Sequence, residues 1–365
     1  MILHRYFARR FLLVFSGVFM VFLVIFILLD MVEQIRKFDS DAVGFLELLK
    51  LTLLNVPQGL YRILPLIMIL ATLALFLSLA RTSELVVTRA SGRSAMRALA
   101  APVFVAFLIG VVAVAVMNPI VAATSKQYEI IANRHAQGTS SVLSISREGL
   151  WLRQGGPEGQ TVIRALQSNL GGTALFDVTF LSFTADGQPS NRIEAKSARL
   201  TPGAWELQTA KEWRFDASGN AEQTAVIRDN MTVQSDLTLA QIRDSFGAPS
   251  SIPIWELSGF ITKLERAGFS ARSHRVWLQM ELALPLMMAA MVLIGAGFTM
   301  RHTRFGRTGT MVLAALGLGF AMYFIRNFAQ ILGETGQIPV LLAAWSPPAA
   351  AILLSLGILL SLEDG

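Results

Sequence analysis

The chain has 365 residues, of which 53% are hydrophobic and only 15% charged; with a mean hydropathy of +0.53 it belongs among membrane proteins and is not a string of ordinary soluble domains. It contains no cysteine, which excludes a disulfide framework, a thiolate metal centre and a cysteine nucleophile. A net charge of +6 and a pI near 10.0 do not indicate nucleic acid, because the basic residues sit beside apolar runs and form no dense tract.

Taken in order, the first apolar run follows His4, Arg5, Arg9 and Arg10 and continues from Phe11 to Leu29 without a small-residue cleavage site, so it reads as a retained anchor. Crossing about 30 Å of hydrocarbon takes about 20 apolar residues. Windows near 11–29, 60–80, 98–118, 280–299, 309–329 and 340–361 qualify, which predicts three spans on either side of a polar middle. Arg5, Arg9 and Arg10, then Arg81, Arg89, Arg93 and Arg97, then Arg301, Arg304 and Arg307 all fall on one face. Short loops rich in Lys and Arg stay cytoplasmic, so both termini are expected inside and the middle domain outside.

From about 140 to 245 the pattern changes to short alternating runs, such as Gly149-Leu-Trp-Leu-Arg153 and Phe176-Asp-Val-Thr-Phe-Leu-Ser-Phe183. Breakers at Gly155-Gly156-Pro157, Gly171-Gly172, Asp186-Gly187, Thr201-Pro202-Gly203 and Ser218-Gly-Asn220 separate them, the spacing of an antiparallel sandwich or roll. Phe176, Val178, Phe180, Leu181 and Phe183 form either its core or an acyl-chain groove. After it, Ile254, Leu257, Ile261 and Leu264 share one face of an expected interfacial helix. The expected divisions are 1–119 for three spans with a coupling loop at 81–97, 120–250 for the β-domain, and 251–365 for the interfacial helix and three further spans.

No Gly-x-x-x-x-Gly-Lys-Ser/Thr run occurs, so any ATP coupling is borrowed from a partner. His4, His135, His274 and His302 lack metal-ligand spacing, no Gly-x-Ser-x-Gly elbow is present, and neither a metal nor a cofactor is expected. In the 81–97 loop, Ser83 suits the cap of a short helix, Glu84 its first turn, Leu85, Val86 and Val87 an apolar patch, and Gly92 its stop. Two readings stand: a solvated loop whose arginines set topology, or a helix inserted into a groove on a cytoplasmic partner.

The Ser83-Glu-Leu-Val-Val-Thr-Arg-Ala-Ser-Gly92 run, three spans on each side of a β-domain and the basic end of the first span resemble the lipopolysaccharide-export permeases LptF/LptG, the YjgP/YjgQ family. Asn55-Val-Pro57, Gly149-Leu-Trp151, Ile338-Pro339 and Ser346-Pro347 are more similar to the LptG branch. The resemblance covers essentially the whole chain. It implies a membrane α-helical fold of six spans flanking a periplasmic β-jelly-roll, in the bacterial inner membrane. It further implies a non-enzymatic half-transporter paired with an LptF-like permease, driven by an LptB-like ATPase dimer, and passing lipopolysaccharide to LptC-like and LptA-like bridge proteins.

On that resemblance, Ser83, Glu84, Leu85, Val86 and Arg89 meet the partner. Arg36 and Lys37 meet head-group phosphates, unless they are ordinary interface anchors. Arg62 adds to them, unless it snorkels to the interface. Arg326, near the outer end of the fifth span, is counted with them as a substrate-binding residue, and Glu281, near the outer start of the fourth, is a further ionisable candidate, unless both are simply solvated at the interface. The pattern departs from the family at Asp30, where a basic residue is common. The alternatives are an exporter of another lipid or lipoprotein, or a membrane receptor or scaffold with a sensing domain.

Overall fold

The computed structural model describes residues 2–38, 44–84, 95–135, 144–146, 149–156, 159–168, 174–184, 186–215, 221–223, 225–235, 248–266, 270–300 and 308–363. The chain divides into two compact units: residues 1–136, 250–255 and 272–365, and residues 137–249 and 256–271.

The first unit is helical. Its elements are α1 (Ile2–Lys37), α2 (Phe45–Arg81), α3 (Ala95–Val112), a π-turn at Ala113–Met117, α4 (Asn118–His135), α6 (Arg272–Thr299), α7 (Thr308–Thr335) and α8 (Val340–Glu363), while α5 (Ile254–Arg266) starts here and continues into the second unit. Among the described residues, six helical runs are long and apolar enough to cross a membrane, as expected, with α3, the π-turn and α4 forming one of them. They are longer than the apolar windows: α1 has 36 residues, about 54 Å at 1.5 Å per residue, so it extends beyond the hydrocarbon. Asn55-Val56-Pro57 lies inside α2.

The central helix is α6, buried along almost its whole length from Met280 to Gly297. Close approach depends on small residues, as is usual where lipid supplies no hydrophobic drive between helices. A Cβ added at Gly110 of α3 would stand 2.5 Å from Pro285 Cα of α6. By contrast α1 leaves Leu13, Met20, Val21, Val24, Leu28 and Leu29 exposed, a stripe that suits lipid or a second membrane chain and not water.

The second unit holds, among the described residues, an antiparallel sheet of seven strands: β1 (Ser144–Ser146), β2 (Gly149–Gly156), β3 (Gly159–Ser168), β4 (Ala174–Thr184), β5 (Pro189–Thr201), β6 (Ala204–Arg214) and β7 (Val226–Gln234). Strand order follows the sequence, so the expected roll is, among the described residues, a meander without crossovers. Thr201 pairs with Ala204 across Pro202 and Gly203, and Gly203 takes φ +86°, the positive φ that position i+2 of a type II turn requires. Leu150, Leu152, Ile163, Ala165, Val178, Phe180, Ile193, Trp205 and Leu207 are buried on the alternating positions.

Phe176 departs from the core expectation: Val178 and Phe180 are buried, Phe176 is exposed, and Leu181 and Phe183 are half-buried. The reason is local. Asp177 adopts φ +50° and has no partner in either register, so Leu175 and Val178 both point inward and the alternation changes phase at this residue. In α5, Ile254, Leu257, Ile261 and Leu264 are all buried, which confirms the helical face read from the sequence.

Candidate functional site

Four helices of the first unit enclose a cavity of about 520 Å³. α2 contributes Gln58, Tyr61, Arg62 and Pro65, one face at helical spacing; α4 contributes Asn118; α6 contributes Trp277, Glu281 and Leu284; α7 contributes Tyr323, Arg326, Asn327, Gln330 and Glu334. The lining is polar within an otherwise apolar bundle. Glu281 lies about 13 Å along the axis from the start of α6, and Arg326 about as far from the end of α7.

Glu281 is only 1% exposed, deeper than its place near a span end led us to expect. A buried carboxylate is tolerated only with hydrogen-bond donors. It accepts one bond from the Tyr61 hydroxyl and one from Asn118 Nδ2 at 3.2 Å. Asn118 is itself held from the other side, because its Oδ1 accepts the Ile254 backbone N–H at 2.9 Å. Asn118 immediately follows the π-turn, a widened turn of the kind that often occurs beside functional sites.

Arg62 is exposed and Arg326 half-buried, and among the described residues neither makes a hydrogen bond or ion pair. The structure therefore brings two of the four expected head-group cations into one cavity with their guanidinium donors uncommitted. Such forks bind phosphate or carboxylate bidentately. Arg36 and Lys37 do not line this cavity. They end α1 and are both exposed, and Lys37 lies over the Tyr128 ring, its Nζ 5.5 Å from the centroid and 3.2 Å from the hydroxyl.

One helical turn earlier than Gln34, Asp30 is buried and accepts from Asn55 Nδ2 at 2.6 Å and from Gln34 Nε2 at 3.3 Å, while Gln34 also bonds the Tyr128 hydroxyl. Its place in the family's basic pattern is thus taken by a hydrogen-bonded node joining α1 to α2 and α4.

At the opposite end of the bundle, α2 stops at Arg81. Thr82 donates its N–H back to Ser78 O, and Ser83 adopts φ +57°, a left-handed residue closing the helix. Glu84 then meets α1: Arg10 Nη1 donates to its Oε1 at 2.5 Å, Tyr6 OH to its Oε2 at 2.8 Å, and Thr82 Oγ1 to its Oε1 at 2.8 Å. Partial desolvation opposes ionisation of Glu84, but the bonds from Arg10, Tyr6 and Thr82 outweigh it and hold the carboxyl below the usual range. Ser83 accordingly serves as the end of α2. The expected helix through Leu85, Val86 and Arg89 falls on 85–94, outside the described residues.

Tyr61, Asn118, Tyr6 and Arg10 were not expected at these sites. Asn118 could have been found as a lone amide closing an apolar run, and Tyr6 and Arg10 as a pair four residues apart.

A family model described as lipopolysaccharide export system permease LptF/LptG matches residues 5–361. The chain belongs to this family. Among curated relatives, the lipopolysaccharide export system permease protein LptG of Escherichia coli strain K12 is 24% identical over 341 residues, covering 91% of each chain. The protein of the same name from Haemophilus influenzae strain Rd is 22% identical over 373 residues, 96% of each. The LptF/LptG assignment agrees with the six spans and the inserted antiparallel sheet, and with the closer resemblance to LptG.

Proposed function

We propose that this chain is the permease subunit of an ABC-type exporter that extracts lipopolysaccharide from the inner membrane and passes it to periplasmic β-jelly-roll bridge proteins. The observation that carries the reading is the placement of Arg62 and Arg326 on the wall of one cavity of about 520 Å³ on an LptF/LptG framework. An exposed Arg62 and a half-buried Arg326, which shares the cavity wall with Glu281 and, like Arg62, makes no hydrogen bond or ion pair among the described residues, suit the phosphates of an amphiphile whose acyl chains remain in lipid.

On this reading an LptB-like dimer supplies ATP hydrolysis, since the chain carries no nucleotide motif. An LptF-like permease completes the lipid cavity; the uncovered apolar stripe of α1 is a natural surface for that chain or for lipid. Arg36 and Lys37 would offer a further pair of cations at the end of α1. The basic loops orient the termini to the cytoplasm and the β-domain to the periplasm.

A photocrosslinking residue at Arg62 or Asn327, in the complex purified with its partner subunits, should capture lipopolysaccharide in an ATP-dependent manner. If both positions capture only bulk phospholipid, the cavity is not the head-group site.

A further inference from the structure

Glu84 and the four side chains around it, Tyr6, Arg10, Ser78 and Thr82, form a connection between the start of α1 and the end of α2. Arg10 is the hub: it donates to Glu84, to Tyr6 OH and, through Nη2 at 3.1 Å, to Ser78 Oγ, and its guanidinium lies 5.7 Å from the Tyr6 ring centroid. The pair is partly open, with side-chain exposures of 24% for Arg10 and 32% for Glu84. Isolated ion pairs at such exposure contribute little to stability. Glu84 is not such an isolated pair: five hydrogen bonds among Tyr6, Arg10, Ser78, Thr82 and Glu84 fix its carboxylate against α1, while the partial exposure leaves the contact open to exchange for another.

The left-handed turn at Ser83 supports this. A non-glycine residue with positive φ is held there by its surroundings, and the next residue is Glu84, whose carboxylate meets Tyr6 and Arg10 of α1. We propose that Arg10 and Tyr6 are positioning residues: they seat Glu84 on α1, so that displacement of Glu84 by a partner subunit is transmitted directly to α1. Helix α1 is continuous from Ile2 to Lys37, and its far end bears Arg36 and Lys37. A pull at Arg10 therefore shifts the two cations at the other end without any intermediate loop. This rests on the export reading above, and supplies the route by which ATP hydrolysis in a partner reaches the lipid-facing end of the chain.

The test uses the full complex in proteoliposomes, measuring lipopolysaccharide moved per ATP hydrolysed. Arg10→Glu and Glu84→Arg should each lower that ratio about tenfold, Tyr6→Phe about threefold, and the exchanged pair Arg10→Glu with Glu84→Arg should recover to within about threefold of the original protein. A merely structural pair would alter assembly and leave the ratio in the assembled complex unchanged. Spin labels at Arg9→Cys and Arg81→Cys, introduced into a chain with no native cysteine, give a second readout that needs no transport: their distance distribution should be narrow, and broaden on Arg10→Ala. Unchanged ratios in the single variants, no recovery in the exchanged pair, or an unchanged distribution on Arg10→Ala would each overturn the proposal. A complex that hydrolyses ATP but moves no lipopolysaccharide defeats the export reading alone, and the spin-label result then decides the seat of Glu84.

Discussion

Lys37 and Tyr128 meet across α1 and α4, the ammonium lying over the ring and within 3.2 Å of the hydroxyl. The ring face attracts the cation, and the contact contributes about 0.5–1 kcal/mol at an exposed site. It fixes one end of a long, flexible side chain next to an exposed arginine. Tyr128→Leu should remove both parts of the contact, Tyr128→Phe only the hydroxyl. Lipid capture by a crosslinker at Arg36 should fall in Tyr128→Leu and remain near the original in Tyr128→Phe; equal capture in all three proteins would show that Lys37 needs no positioning.

The crossing of α3 and α6 gives a prediction with a built-in control. At Gly110 an added methyl meets the Pro285 backbone at 2.5 Å, which cannot move without shifting α6, whereas at Gly17 nothing lies within 4 Å. Gly110→Ala should lower stability by about 1–3 kcal/mol through overpacking. Gly17→Ala should be neutral or raise it by up to about 1 kcal/mol, because alanine favours the helix. Thermal melting of the detergent-purified protein checks both signs.

Glu281 supplies the third. Asn118→Ala removes one donor from a buried carboxylate and strips the Ile254 N–H of its acceptor. Leaving such groups unpaired costs about 1–3 kcal/mol each, although hydrogen bonds within membranes average nearer 0.6 kcal/mol. Asn118→Ala should therefore destabilise more than Tyr61→Phe, which also removes one donor from Glu281 but leaves the Ile254 bond in place. Equal melting temperatures for the two would show that the Ile254 bond contributes nothing.

The spans were legible because lipid imposes a long, uninterrupted apolar signal, and the β-region because its period changes to two. Ends were less legible: α1 and α2 continue into polar sequence at Gln34 and Glu47, where packing and not hydropathy maintains the helix. Phe176 was misplaced because a single left-handed residue at Asp177 changes the phase of the strand, and no pattern of apolar residues encodes that. Arg62 and Arg326 were visible as charges in apolar runs, but 264 positions apart in sequence their meeting could not be read. Arg10 looked like a topology signal, a role that does not exclude its bond to Glu84.

Orientation is open to a direct check. On the proposed orientation Asp186, exposed in the turn between β4 and β5, faces the periplasm. With no native cysteine to mask, Asp186→Cys in intact spheroplasts should react with an impermeant maleimide, and Arg81→Cys only after lysis. The reverse pattern would invert the topology and with it the proposed direction of transport.

Glu84 carries a pH prediction whose sign follows from its surroundings. Its carboxyl is held below the ordinary range, with Arg10, Tyr6 and Thr82 favouring the charged form over the opposing desolvation. A depressed carboxylate stabilises the folded contact fully above the unfolded value of about 4.3, and loses that contribution as pH falls through the lower folded value. Between about pH 5.5 and 8 the seat on α1 should therefore be constant, and any pH dependence of lipid release in that window must come from other groups. The distance between labels at Arg9→Cys and Arg81→Cys should accordingly be flat from pH 8 down to about 5 and broaden only in stronger acid. Glu84→Gln, which cannot ionise, should show the broadened distribution at every pH. Broadening of the original protein near pH 6.5 would mean that a group other than this carboxylate controls the contact, and Arg10 would lose its assigned role as the hub.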